Sequence, residues 1–287
     1  MRYLCLICLL IWPTVASAEE YRGIFWNLES GDSDPQQLAR QMTEKGKIDF
    51  WGFSEVENQR TLDILERALE KASPGIDYIT KITEEGNEDR LALIYNSQRF
   101  TAVPYSGQAK VDDIGGQFFE VDEININGRI RPALGVELKS STGAHFVLLV
   151  QHWKCCGGEG LPLREKQAIQ LNAFAQRSPQ LPLISGGDYN ILFNRGGMRQ
   201  TAFRELQDHW QYLSPRTRIG KSQHEFGSHS RGAILDGVFI THRPQDWTLR
   251  TTIMERKGLE EVNRGGEFQD NSRDSDHRPL LVVIECH

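Results

Sequence analysis

Short apolar runs, rich in β-branched and aromatic residues and closed by turn formers, recur from one end of the chain to the other. Residues 21–26, 50–53, 91–95, 133–138, 146–150, 181–184, 235–241 and 280–284 each have the length and composition of a strand. A second spacing interrupts them. Residues 34–44 open on Asp34 as an N-cap with Pro35 in the first turn, and Leu62, Leu65, Ala68 and Leu69 share one face at a period of 3.6. Residues 163–176 repeat that pattern through Ala168, Leu171, Phe174 and Ala175. Strands and helices mix without strict βαβ alternation, which predicts two packed sheets with helices outside.

The polar positions add a second regularity. Several strands end in a carboxylate, carboxamide or imidazole just before a turn: Asn27, Glu55, His152, Asp188 with Asn190, and Asp276 with His277 ahead of the last strand. Loops at strand ends are where a rigid scaffold aims side chains at one point. Any one of these residues alone reads as readily as a turn or cap residue. So many of one chemical kind read as a site.

Composition changes the picture at the N-terminus. Arg2 is the only charge before Glu19, an apolar run spans residues 4–12, and Ala16-Ser17-Ala18 is a small-residue cleavage pattern. The run is shorter than the roughly 20 residues that cross a bilayer. Residues 1–18 therefore read as a signal peptide, and a secreted or periplasmic location without a stable membrane anchor is expected. Residues 19–287 show no linker, repeat or low-complexity tract, so one large domain is expected, as a monomer. The net charge is −6, one unit more negative without Arg2, which does not suit a protein that coats nucleic acid through bulk charge. An enzyme that carries cations to a phosphodiester needs no basic surface.

Taken in order, Phe25-Trp26-Asn27-Leu28, Phe53-Ser54-Glu55-Val56, His152-Trp153-Lys154, Gly187-Asp188-Tyr189-Asn190, Leu235-Asp236 and Ser275-Asp276-His277-Arg278-Pro279 resemble the successive signatures of the endonuclease/exonuclease/phosphatase superfamily. They span nearly all of residues 19–287. The resemblance implies an α/β (α+β) fold of the deoxyribonuclease I kind: a four-layered sandwich of two mixed β-sheets flanked by helices, with the site at one edge. On such a fold Cys286 and the Cys155-Cys156 pair lie at opposite ends of a sheet, so a vicinal Cys155-Cys156 bridge or free thiols are expected. Ser54 and Gln151 depart from residues common beside the family's Glu and His; neither departure removes a ligand.

The chemistry follows from the bond. A phosphodiester is anionic and gains charge on attack, which calls for a hard cation on oxygen ligands and for donors aimed at the developing oxyanion. Glu55 and Asn27, with Asp276 as a second anion, suit Mg²⁺, with Mn²⁺ or Ca²⁺ as alternatives. The resemblance implies that Asp236 orients His277, a proton carrier or charged clamp at the phosphate. It implies that His152 stands across the phosphate as proton donor to the leaving oxygen, paired with Asp89 or the equally near Glu88. Asp188 and Asn190, two apart on an extended segment, would share a side, the carboxylate handling the attacking water and the carboxamide the phosphate. Arg131, Lys154 and Arg164 are candidate phosphate contacts.

These residues imply a secreted metal-dependent phosphodiesterase, with nucleic acid favoured as substrate by His152 and by a basic stretch of Arg195, Arg199, Arg204, Arg216, Arg218, Lys221 and Arg231. The rivals are a sphingomyelinase-like phospholipid phosphodiesterase with Phe118-Phe119 as its only apolar wedge, a phosphomonoesterase, and an inactive binding module. The last predicts a missing ligand or proton carrier, and none is missing.

Overall fold

The protein is described by a computed structural model that covers residues 18–128, 130–155, 159–178, 181–194, 199–215, 227–262, 268–271 and 273–287. The expected leader, residues 1–17 of it, lies outside the described residues, as does Cys156. Two mixed sheets stand face to face. The first has the order β13(Trp247–Ile253), β14(Leu280–Cys286), β1(Glu19–Asn27), β2(Phe50–Val56), β4(Arg90–Asn96), β3(Tyr78–Ile82). The second runs β11(Gln211–Tyr212), β12(Asp236–Thr241), β10(Leu183–Asp188), β9(His145–His152), β8(Ala133–Ser140), β7(Phe118–Val121), β6(Asp112–Gly115), with β5(Phe100–Val103) also on β8.

Side-chain alternation builds the layers. Along β1, Ile24 and Trp26 turn outward to the cluster that holds Leu38 and Met42 of helix α1(Pro35–Thr43) and Leu62 and Leu65 of α2(Gln59–Ala72). Tyr21 and Phe25 turn inward to the core between the sheets, where Phe50 of β2 packs against Phe146 of β9. Helices α3(Gly160–Gln176) and α4(Thr201–Gln207) supply Phe174 and Phe203 to the core of the second sheet. The four-layered sandwich of two mixed sheets flanked by helices is thus observed. Asp34 caps α1 by accepting the Gln36 N–H, as its position predicts.

Near the site the sheets approach closely. A methyl group at Gly186 would meet the Phe25 ring at 2.3 Å, so only glycine lets that ring fill the gap. This corrects the expectation that the strand ends at residue 184: β10 continues through Gly186-Gly187 to Asp188. Phe118 and Phe119 are buried in β7 at 2% exposure, so they are core residues and no membrane wedge. Among the described residues no helix is long and apolar enough to cross a membrane. Among the described residues Cys286, at the end of β14, has no disulfide partner.

Candidate active site

Parallel pairing places the strand ends side by side. β1 and β2 run parallel with Asn27 opposite Ser54, and β9 and β10 run parallel with His152 opposite Asp188. β12 runs antiparallel to β10 and begins with Asp236 opposite Asp188. β14 runs antiparallel to β1, pairing Leu280 with Phe25, so residues 275–279 cross the end of β1. That crossing is tied down: Trp26 Nε1 donates to the His277 carbonyl at 2.9 Å, and Ser275 Oγ donates to the Asn27 carbonyl at 2.7 Å. Glu55 sits where the β2–β4 register slips, at φ 54°, and Asn190 and Glu29 also hold left-handed φ of 52° and 53°. Residues without a glycine's freedom keep such angles only where their surroundings over-determine them.

The result is one cleft of about 340 Å³ bounded by Glu55, His152, Asp188, Asn190, Asp276 and His277, with Arg131 and Lys154 also on its wall. Asp188 Oδ2 is its hub. It accepts from Asn27 Nδ2 at 3.2 Å and lies 3.8 Å from His277 Nε2 and 4.0 Å from His152 Nε2. Asn27 Nδ2 also donates to Glu55 Oε1 at 2.9 Å, and His152 Nε2 stands 3.3 Å from that same oxygen. Behind the cleft, Asp236 Oδ2 holds His277 Nδ1 at 2.8 Å.

Charge divides the two imidazoles. Burial works against protonating His277, but the Asp236 carboxylate, followed by Asp188 and Asp276, overcomes it and pushes the ring up to about 10. His152 is driven well below its ordinary value by burial and then by the positive Arg131, His277 and Lys154. His277 is therefore the imidazolium at neutral pH and His152 the neutral ring. The carboxylates are crowded. Burial raises Glu55 to about 7, the nearby Asp188 adding to it, and burial with the Asp276 charge raises Glu29 to about 7. Burial also raises Asp188, against the pull of His277. Asp276 stays below its usual value despite burial, through the His229 hydrogen bond and then the His277 charge. Buried anions destabilised by one another form an oxygen-rich setting that a hard divalent cation fits. Glu55, His152 and Asp188 each offer one atom within 4.8 Å of the others.

Ten of the eleven expected site residues gather at or directly behind this cleft, and the departures are specific. Asn190 has left the strand, so the same-side argument from an extended segment does not hold; its Nδ2 donates to the Trp153 carbonyl at 3.0 Å while it still lines the cleft. Asn27 directs its amide nitrogen at the carboxylates and its oxygen accepts the Glu29 N–H at 3.0 Å. As a cation ligand it must turn that amide over. Arg164 is buried on α3, donates to the Lys154 carbonyl at 2.7 Å, and is not on the cleft wall. Asp89 pairs with Arg131 and accepts from Ser30, so it is not the partner of His152, whose buried Nδ1 has no hydrogen bond among the described residues. Arg195, Arg216, Arg218 and Lys221 lie outside the described residues. His229, on the cleft wall, and Glu29 were not anticipated: each is a single polar residue in a loop with no motif around it.

A larger hollow of about 940 Å³ adjoins the cleft, sharing Asp89, Arg131 and Lys154 with it. It is walled by Glu84, Glu85 and Glu88 and, among the described residues, lined by no imidazole.

No protein-family model matches the chain, and no curated protein matches it in sequence. Solved structures match its fold. An endonuclease/exonuclease/phosphatase family protein from Bacteroides thetaiotaomicron superposes with TM-score 0.59 at 14% identity, over 94% of this chain and 99% of that one. D. rerio TDP2 complexed with single strand DNA product gives 0.65 at 14%, over 92% and 98%. A mannosyl-6-phosphatase from Bacteroides thetaiotaomicron gives 0.57 at 16%, over 92% and 99%. The chain therefore has the endonuclease/exonuclease/phosphatase fold.

Proposed function

We propose that this chain is an exported, divalent-cation-dependent hydrolase of phosphate esters, with residues 19–287 as its catalytic domain, acting as a monomer, and a member of the superfamily whose fold it has. The observation that carries this reading is the single cleft in which Glu55, His152, Asp188, Asp276 and His277 meet from four separate stretches of chain. Such a set suits phosphoryl chemistry. An imidazolium fixed by a buried carboxylate stabilises charge that develops on phosphate oxygens, and a carboxylate raised toward neutrality takes a proton from water.

In this reading Mg²⁺, with Mn²⁺ or Ca²⁺ as alternatives, is held by Glu55 and Asp276 with Asn27 and supplies Lewis-acid stabilisation of the phosphate. The protein's own groups do the rest. Asp188 orients and deprotonates the attacking water. His277, kept protonated by Asp236, clamps a non-bridging oxygen. His152 donates from its neutral ring toward the opposite oxygen, and its ring gains basicity as the anionic phosphate enters. Asn190, Arg131 and Lys154 steady the phosphate. An inactive binding module is disfavoured, since a chain without turnover has no need to keep both imidazoles buried beside carboxylates.

For the substrate we propose a phosphodiester, nucleic acid first. Arg231, whose charge reaches Asp276, and the capture of a single strand DNA product by the D. rerio protein of the same fold support it. A phosphomonoester of a sugar is the second reading, favoured by the acidic wall of the adjoining hollow, where a long polyanion would be repelled, and by the mannosyl-6-phosphatase of the same fold. A lipid diester is disfavoured by the burial of Phe118 and Phe119. The test is hydrolysis of plasmid DNA, RNA, mannose 6-phosphate and sphingomyelin vesicles with Mg²⁺, repeated with a chelator. Cleavage of one ester class that stops on chelation is expected. No turnover of any ester with Mg²⁺, Mn²⁺ or Ca²⁺ overturns the reading.

A further inference from the structure

The mechanism above leaves His229 unused, although it lines the cleft. Its loop is sewn to the segment that carries Asp276 and His277. Ser230 N–H donates to the Asp276 carbonyl at 2.7 Å, Arg278 N–H donates to the Ser228 carbonyl at 2.6 Å, and His229 and His277 form an antiparallel bridge. The two rings meet edge to face with centroids 4.9 Å apart. The Arg231 N–H donates to His229 Nδ1 at 3.0 Å. A backbone amide is always a donor, so Nδ1 is the bare nitrogen and the proton of the neutral ring is on Nε2. That Nε2 lies 3.2 Å from Asp276 Oδ2, while Asp276 Oδ1 faces His277 Nε2 at 3.7 Å.

The fixed tautomer decides between two roles. His229, Asp276 and His277 are close enough to share one ion, their atoms lying within 4.8 Å. A nitrogen that carries a proton has no lone pair for a metal, so His229 is not a ligand in this arrangement. We propose that His229 is a positioning residue: its Nε2–H holds one oxygen of Asp276 and so fixes the carboxylate in the orientation in which it takes the cation. This rests on the reading above that Asp276 is a ligand. Groups that orient a ligand in this way typically change metal affinity about 10–100-fold when removed.

The experiment measures Mn²⁺ binding to the full chain by electron paramagnetic resonance, with Mn²⁺ alone as the probe. His229→Leu, which removes the donor, is expected to raise the Mn²⁺ dissociation constant about 10–100-fold. His229→Gln, which places an amide N–H close to the lost Nε2–H, should restore it to within about threefold of wild type, a rescue that loop packing alone does not give. Should His229→Leu not fold, His229→Asn, too short to reach Asp276, carries the same expectation. Wild-type affinity in His229→Leu, or equal loss in His229→Gln, overturns the proposal. Asp276→Asn separates the two readings: loss of Mn²⁺ there with none in His229→Leu sinks the role of His229 alone, whereas no loss in Asp276→Asn removes Asp276 as a ligand and both fall.

Discussion

Asp236 and His277 set the charge state of the cleft through one 2.8 Å hydrogen bond. The ring titrates near 6.5 when free and is pushed up to about 10 in the fold, where burial is outweighed by the carboxylates around it. The folded state therefore holds this proton more tightly than the unfolded chain. Its contribution to stability is fully present below pH 6.5 and is lost as pH rises through about 10. Asp236→Asn removes the main supporting charge, so the alkaline fall in turnover should move from near pH 10 toward neutrality; superimposable pH–rate profiles would contradict this. His277→Ala should lower turnover about 10²–10⁴-fold, with the thermal midpoint changed little compared with a core mutation. At this scale the sequence was informative because His277, Asp188 and Glu55 sit inside short motifs whose order is recognisable. Arg164 misled because a formal charge does not tell which way a guanidinium turns, and this one serves a backbone carbonyl. His229 and Glu29 acquire meaning only from neighbours more than forty residues away, Asp276 in both cases.

Elements, more than single side chains, fix the geometry. β10 must lie beside β9 and close against the first sheet to bring Asp188 to His152, and its two glycines make that possible. Gly187 has φ 136°, and a methyl group there would stand 2.1 Å from the Gln151 carbonyl oxygen. Gly187→Ala should cost about 3 kcal/mol or more through strain and displacement of β9, read from urea denaturation; an unchanged midpoint would show that the strand pair tolerates the shift. The same glycines explain why the strand's end was illegible: Gly186-Gly187 reads as a turn unless the facing Phe25 ring is known. β13 is a different case. Trp247, Leu249, Thr251 and Ile253 alternate inward along it, a period-2 signal that the polar Thr251 on the inward face weakens. β6, four largely exposed residues containing two aspartates, has no hydrophobic pattern at all; only pairing with β7 makes it a strand.

Over the whole molecule the cleft concentrates anions in a chain that is already acidic, with a net charge of −6. Glu55 and Glu29, each raised to about 7, bind protons more tightly when folded. The stability they contribute is present below the ordinary carboxylate value of 4.5 and lost as pH rises through about 7. On the proposed reading a divalent cation takes the place of those protons, so Mn²⁺ should raise the melting temperature at pH 8, and the rise should vanish by about pH 5 as the carboxylates protonate. A cation effect that is equal at both pH values would mean binding elsewhere. Every role proposed for the cleft depends on distant parts of the chain converging on a cation and a phosphate together, a convergence that can be measured. It is tested most directly by electron–nuclear double resonance on the Mn²⁺-loaded protein with inorganic phosphate, which reads the coupling between the ion and the phosphorus nucleus. A phosphorus coupling is expected in the wild type, disappearing in Glu55→Gln and weakening in His277→Ala. Bound Mn²⁺ with no phosphorus coupling, or a coupling indifferent to both substitutions, would contradict it.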